Sequence, residues 1–317
     1  MTASRRRIAD GFLLSGPGDP GRAFPRFFPA MHPDFVELSR RLKQGPLVMG
    51  ILNVTPDSFS DGGLWLDPGA AVAHAQAMAE QGADLLDIGG ESTRPGAPAV
   101  GLEEEWDRLL PVLRALRAAG GSLPWSVDTQ KAEVARRAVA EGACLVNDVS
   151  ALRADAAMPG VVAASGAGAC LMHRLEAPSG AQWSPHEGQG SRYPGDGVSA
   201  AVLAFLKERL EDCAARGIAR EALWLDPGLG FGKTVSDNLR LIKDLPLLAG
   251  LGRPLLVGPS RKSFVGAVAG GIPVEGRLAG TLAACSVALW QGASVLRVHD
   301  VKEAVQAVRM VGAIRAS

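Results

Sequence analysis

The chain has 317 residues, with 33 Lys+Arg balanced by 33 Asp+Glu for a formal net charge of zero; this excludes the basic excess that nonspecific nucleic-acid or anionic-membrane binding requires. Hydrophobic residues are 47% and charged residues 21% of the whole, a globular balance that rules out disorder and collagen-like repeats, and no apolar run is long enough for a membrane span. Glycine is high, 39 residues, which points to tight turns or close backbone approach to a ligand. Cys144, Cys170, Cys213 and Cys285 have neither metal-knuckle nor redox-pair spacing. They read as buried thiols in a reducing compartment. The apolar stretch Phe12-Leu13-Leu14 after the N-terminal arginines is too short for a signal h-region, so a soluble, cytoplasmic protein without membrane or nucleic-acid partners is expected.

Residues 1–45 are rich in Pro, Gly and Arg, show no sustained period and read as an N-terminal extension that packs on a body at 46–317. From 46 onward, short apolar runs alternate with Ala-, Leu- and Arg-rich helical stretches. The runs are 46–53, 83–90, 124–128, 144–148, 169–173, 223–226, 254–258 and 294–299. Helical patterns fall at 69–81, 102–119, 131–141, 156–165, 198–216, 235–249, 277–291 and 301–313. Strands alternating with helices imply parallel pairing. Eight such repeats predict an α/β protein of the (β/α)8 TIM-barrel class. A doubly wound open sheet is the competing arrangement, but the first turn, Asn53-Val54-Thr55-Pro56, lacks the glycines of that fold. Gln81-Gly82-Ala83, Glu141-Gly142-Ala143 and Gln291-Gly292-Ala293 each stand between a helix and the next strand, where glycine is expected in a left-handed conformation just past the helix end.

Each apolar run finishes in polar residues: Asn53, Asp87 to Arg94, Asp128-Thr129, Asn147-Asp148, His173, Asp226, Ser260-Arg261-Lys262, and Arg297, His299 and Asp300. In a barrel those ends converge on the C-terminal mouth, where active sites lie. Helix capping accounts for Asp148 or Thr129, but not for Lys262, Arg297 and His299. Arg94, Arg261, Lys262, Arg297 and His299, with the Thr93 and Ser260 hydroxyls, suit an anion with several oxygens, such as phosphate or pyrophosphate. The Ser260-Arg261-Lys262 step is expected to open a helix whose dipole adds to that field. Asp128, Asn147, Asp226 and Asp87 can accept in plane from the N–H edge of a polar heterocycle. Together they indicate a heterocycle carrying a phosphate group. The segment Pro227-Gly228-Leu229-Gly230-Phe231-Gly232-Lys233-Thr234 ends like a P-loop but lacks its first glycine. It reads as a loop that lets a flat ligand approach the backbone. Trp106, Trp125, Trp224 and Trp290 read as packing residues, His32, His74 and His186 as bystanders, and His173 as either a supporting partner of the site or a cap. Residues 174–197 read as a long loop at the mouth or rim.

Two long stretches carry a resemblance. Met49 to Gly63 (MGILNVTPDSFSDGG) and Gly89 to Gly96 (GGESTRPG) are similar to the two signatures of dihydropteroate synthases, a pterin-binding family. Shorter matches are Val127-Asp128-Thr129, Asn147-Asp148-Val149, Leu171-Met172-His173, Asp226 to Lys233, Gly258 to Ser263 and Arg297-Val298-His299-Asp300. The resemblance implies a (β/α)8 barrel that joins 6-hydroxymethyl-7,8-dihydropterin pyrophosphate to p-aminobenzoate in folate biosynthesis, releasing pyrophosphate. It implies that Asp128, Asn147, Asp226 and Lys262 hold the pterin. Asn53, Thr93, Arg297 and His299 would hold the pyrophosphate, with Mg²⁺ near Asn53 and Asp57. Thr93, Arg94, Pro95, Phe231 and Ser260 would shape the p-aminobenzoate pocket, with Met172, Gly258 and Arg261 as further substrate contacts. A homodimer through outer helices and sulfonamide sensitivity are also implied. The segment 174–197 departs from the family pattern, with Trp183, His186 and Tyr193 after the strand-5 histidine. Two competing readings are a non-catalytic pterin-binding paralogue and a pterin-dependent methyltransferase. The first should have lost Asn53, Asp57, Thr93 or Arg94. The second needs no Ser260-Arg261-Lys262 and Arg297/His299 anion set.

Overall fold

The computed structural model describes residues 30–55, 67–92, 99–121, 123–175, 191–193 and 197–317. In chain order these form α1 (Pro33–Leu42), β1 (Leu47–Asn53), α2 (Pro68–Glu80), β2 (Leu85–Gly89), α3 (Leu102–Ala118), β3 (Trp125–Asp128), α4 (Ala132–Ala140), β4 (Leu145–Asp148), α5 (Met158–Ser165) and β5 (Gly168–Met172). There follow α6 (Gly197–Ala215), β6 (Leu223–Asp226), α7 (Val235–Lys243), α8 (Leu245–Ala249), β7 (Leu256–Val257), α9 (Ser263–Val268), α10 (Leu278–Trp290), β8 (Val295–Val298) and α11 (Val301–Ala316).

The strands are parallel and ordered β6-β5-β4-β3-β2-β1-β8-β7. A bridge between Leu225 and Leu255, with Leu225 N donating to Pro254 O at 2.9 Å, joins β6 to β7. The ring therefore closes, and the open-sheet alternative is excluded. Parallel strands covered on both faces should be apolar nearly throughout, and all seven residues of β1 except Asn53 are buried. Gly82, Gly142 and Gly292 have φ of +97°, +115° and +105°, so each helix-to-strand joint does use the positive φ that a side chain would strain.

Three differences from the sequence-based expectations have local causes. The extension holds a helix that its lack of a sustained period did not predict: α1 lies inside it, and its Phe35 and Leu38 are fully buried in the common core. Pro33 at the start, His32 accepting from Asp34 N, and the i, i+3 pair Phe35/Leu38 make this a short amphipathic helix. Phe35 stacks on Trp224 of β6, ring centroids 5.6 Å apart, and fills the space left open by Gly168 at the start of β5. The helix thus closes the N-terminal end of the barrel. The stretch expected as one helix over 235–249 breaks into α7 and α8 at Asp244, where Pro246 cannot donate the hydrogen bond that continuation needs. Trp290 is not a packing residue: it is 54% exposed at the end of α10, whereas Trp106, Trp125 and Trp224 do pack in or against the core.

Candidate active site

Register brings the polar strand ends to one level. Asn53 pairs with Gly89, Gly89 with Asp128, and Asp128 with Asn147 across β1 to β4, while Met172 pairs with Asp226 across β5 and β6. Because a strand repeats every two residues, Asp87 lies on the same face as Gly89, one step deeper in the barrel.

Arg297 of β8 organises the floor. Its Nε donates to Asp87 Oδ2 at 2.6 Å and its Nη2 to Asp128 Oδ2 at 2.9 Å. Asp87 also accepts from Ser126 Oγ (2.5 Å) and Asn147 Nδ2 (3.0 Å). Four strands are therefore tied through one fully buried carboxylate. Burial, with the Asp87 charge beside it, pushes the Asp128 carboxyl well above the usual carboxylate range despite Arg297. Such a carboxylate is short of donors, and a ligand edge bearing N–H groups would supply them.

The opposite wall is built on β6 and the loop after it. Burial raises the Asp226 pKa, with Lys262 and the Gly228 amide (N to Oδ1, 2.6 Å) acting against it. Lys262 caps α9, donates to the Leu229 carbonyl and lies over the Phe231 ring at 4.6 Å. Burial pushes its pKa down to about 8. The expected helix does begin here, at Ser263, with Lys262 as its cap.

The third wall is the turn before α9. Ser260 Oγ lies 2.9 Å from His299 Nδ1 and accepts from His299 N at 3.2 Å. Arg261 adopts φ of +55°. Its guanidinium is held by both oxygens of Asp300, at 3.0 and 2.6 Å, and its amide donates to Thr281 Oγ1 at 3.0 Å. The Arg261 cation is thus matched inside the protein, and the pair fixes the turn that carries Ser260 and Lys262. Gly258, just after β7, lies against Arg297, in ordinary contact range of where a Cβ would stand. Met172 is buried at the end of β5 and Asn53 is half-buried at the end of β1. Asp57, Thr93, Arg94 and Pro95 lie outside the described residues.

Several supporting groups were not evident from sequence. Ser126 faces Asp87 only because of register. Glu91 accepts from Val100 N at 3.0 Å and pairs with Lys131 at 2.6 Å, and Lys131 also holds the buried Glu105 at 2.5 Å; these groups join the residues flanking 92–99. Asp148 and Thr129 do not cap the helices that follow, whose cap positions are Ala157 and Lys131 and carry no side-chain cap; they accept instead within turns, from the Ser150 and Leu152 amides and from the Lys131 amide respectively. His173 is a partner within the protein: its Nδ1 lies 3.1 Å from Lys233 Nζ, and burial holds its pKa down to about 3.

A closed parallel barrel with carboxylates, an amide and cations converging on the carboxyl ends of its strands defines an enzyme-type site for a small, polar, anionic ligand. Comparison with known proteins narrows the class. Residues 49–299 match the family described as pterin binding enzyme, and the chain belongs to that family. It is 46% identical to the dihydropteroate synthase of Escherichia coli strain K12 over 268 residues, 84% of this chain and 91% of that one. The dihydropteroate synthase of Mycobacterium leprae is 43% identical over 272 residues, 84% of this chain and 92% of that one. Among solved structures, Xanthomonas albilineans dihydropteroate synthase with 4-aminobenzoic acid superposes with a TM-score of 0.76 at 47% identity, covering 86% of this chain and 94% of that one. The Yersinia pestis enzyme in a sulfonamide drug complex gives 0.78 at 43% identity, covering 86% and 95%.

Proposed function

We propose that the protein is a dihydropteroate synthase, a transferase that condenses 6-hydroxymethyl-7,8-dihydropterin pyrophosphate with p-aminobenzoate to give 7,8-dihydropteroate and pyrophosphate. The observation that carries this is the Asp87–Arg297–Asp128 arrangement on the floor of the barrel. It sets a donor-seeking carboxylate beside a guanidinium, the pairing needed where a pterin meets its pyrophosphate. The Xanthomonas albilineans enzyme solved with 7,8-dihydropteroate, 45% identical to this chain, supports the same ligand chemistry.

Asp128, Asn147, Asp226 and Lys262 hold the pterin, with Met172 and Gly258 shaping its slot. Arg297 and His299, with Asn53 and Thr93, hold the pyrophosphate. Phe231, Ser260, Thr93, Arg94 and Pro95 bound the p-aminobenzoate. Arg261 serves the same pocket by fixing the turn through Asp300. Loss of pyrophosphate leaves positive charge at the pterin methylene. Asp128 and Asp226, held ionised by the pterin N–H donors together with Arg297 and Lys262, stabilise it electrostatically. The neutral arylamine nitrogen then bonds to that methylene and the resulting acidic ammonium gives its proton to solvent, so neither a strong base nor a covalent enzyme intermediate is needed. Asn53 and Asp57 would hold a bound Mg²⁺, which would supply charge neutralisation for the pyrophosphate. Asn53 offers a hard amide oxygen at the mouth, and Asp57 would be the second ligand. This sparse donor set fits an ion carried in largely by phosphate oxygens and water.

A cytoplasmic homodimer completes the proposal. Val287 and Trp290 on α10 and Met310 and Ile314 on α11 are each about half exposed or more, and Arg315 ties the ends of the two helices by donating to the Leu289 and Trp290 carbonyls at 2.6 Å. A second copy would cover this apolar face.

The test is pyrophosphate release by the purified protein with Mg²⁺ and the pterin pyrophosphate, with and without p-aminobenzoate. Release that depends on p-aminobenzoate and yields dihydropteroate is expected. Pterin binding with no release would instead identify a binding paralogue.

A further inference from the structure

Lys233 is a fully buried lysine that takes no part in the substrate contacts above, being only 1% exposed. It follows Gly228, Gly230 and Gly232, whose φ values are +69°, +81° and +69°. The alternation of left-handed glycines with ordinary residues turns carbonyls inward onto the ammonium. Lys233 Nζ donates to Gly228 O (2.8 Å), His173 O (3.1 Å) and Phe231 O (3.3 Å), and faces His173 Nδ1 at 3.1 Å. Its pKa is pushed down to about 7, chiefly by burial, with Lys262 adding to the fall and Asp226 and Asp237 acting against it. The outer side of the same loop meets the mouth. Gly228 N donates to Asp226, Leu229 O accepts from Lys262, and the Phe231 ring lies beneath the Lys262 ammonium. A Cβ at Gly228 would overlap the His173 carbonyl oxygen, so the loop has no slack toward the barrel.

We infer that Lys233 is a positioning residue: its ammonium pins the loop 227–232 from below and thereby sets Asp226, Phe231 and Lys262 for the pterin and the arylamine, while Arg297 is set by Asp87 and Asp128 on the other side of the barrel. The inference rests on the synthase reading. The P-loop-like spelling of this segment is then explained without a nucleotide: glycines and lysine serve backbone carbonyls of the chain itself rather than phosphate oxygens.

The experiment uses the full chain and Lys233→Met, which keeps an unbranched side chain one atom shorter and removes every donor. Both proteins are titrated with 6-hydroxymethyl-7,8-dihydropterin lacking the pyrophosphate and, separately, with inorganic pyrophosphate and Mg²⁺; turnover and thermal unfolding are measured alongside. The expected result is a cooperative fold, pterin affinity weaker by about tenfold, kcat/KM lower by about a hundredfold, and pyrophosphate affinity within about twofold of wild type, since a misplacement near 1 Å costs on that order. Unchanged pterin affinity and turnover would overturn the inference, and so would equal weakening of both ligands, the mark of a general fault in the fold. If Lys233→Met does not fold, Lys233→Gln, which replaces the ammonium by a shorter neutral amide with two N–H donors, is measured with the same expected and overturning results. A wild-type protein that binds no pterin would instead sink the synthase reading, and the inference with it.

Discussion

At the scale of single residues, the decisive arrangement is two carboxylates sharing one guanidinium. Asp87 is fully buried and Asp128 nearly so, and Arg297 stands between them. Removing the cation leaves like charges facing each other in a poorly hydrated space. Arg297→Ala should therefore cost about 3 kcal/mol of stability, as well as chiefly weakening the pyrophosphate substrate; urea unfolding at several pH values checks the first part. The loss should shrink as pH falls, because a protonated carboxyl needs no partner. Asp128→Asn should separate activity from stability. The Asp128 pKa is raised in the folded state, so below about pH 4 the group is protonated folded or unfolded and contributes nothing. Above that the unfolded chain releases its proton first, and wild-type stability declines toward the raised folded value. The asparagine variant lacks this decline. Its stability relative to wild type should rise with pH while turnover falls by about a hundredfold; a pH-independent difference would remove the like-charge account. Asp87, Asp128 and Arg297 are all visible in the sequence as strand-end residues. That Arg297 joins the two acids is not, because the residues are separated by 210 and 169 positions and only closure of the ring makes them neighbours.

At the scale of elements, the joints were legible and the plug was not. The three helix-to-strand glycines announce themselves because positive φ restricts the residue type to glycine almost independently of context. Helix α1 carried a weaker signal, Pro33 at its start and one i, i+3 apolar pair. Its apolar face is only the Phe35/Leu38 pair within ten residues, a pattern too short to stand out beside the Pro-, Gly- and Arg-rich stretch before it, and the helix is held because the barrel end offers an apolar socket between Trp224 and Gly168. Phe35→Ala should leave a cavity there and cost about 3–5 kcal/mol, read by chemical denaturation. Activity per folded molecule should remain near wild type, since the socket lies at the end of the barrel opposite the mouth. A loss of turnover in fully folded Phe35→Ala would show that the two ends are coupled. The break between α7 and α8 was readable in principle from Pro246, whose missing N–H is a local fact. It was obscured by the apolar pattern, which continues through Leu245, Leu247 and Leu248.

At the scale of the whole molecule, the apolar face of α10 and α11 bears on assembly. Trp290→Glu combined with Ile314→Glu should shift the protein from dimer to monomer in sedimentation, while leaving the monomer folded because both side chains are more than half exposed. A wild-type protein that sediments as a monomer would remove the dimer from the proposal. The sequence by itself determined the strand–helix alternation, the polar strand ends and the two long signatures, and with them the barrel class and the family. Those features are local, set by hydrophobic period, turn chemistry and short motifs. Tertiary structure alone decided which charges meet. Arg261 is matched by Asp300, Arg297 bridges two acids, and Lys233 holds a loop from beneath. The physical reason is that partner choice depends on the register and closure of eight parallel strands, and a polar side chain's electrostatics are fixed by its burial and its neighbours rather than by its position in the chain.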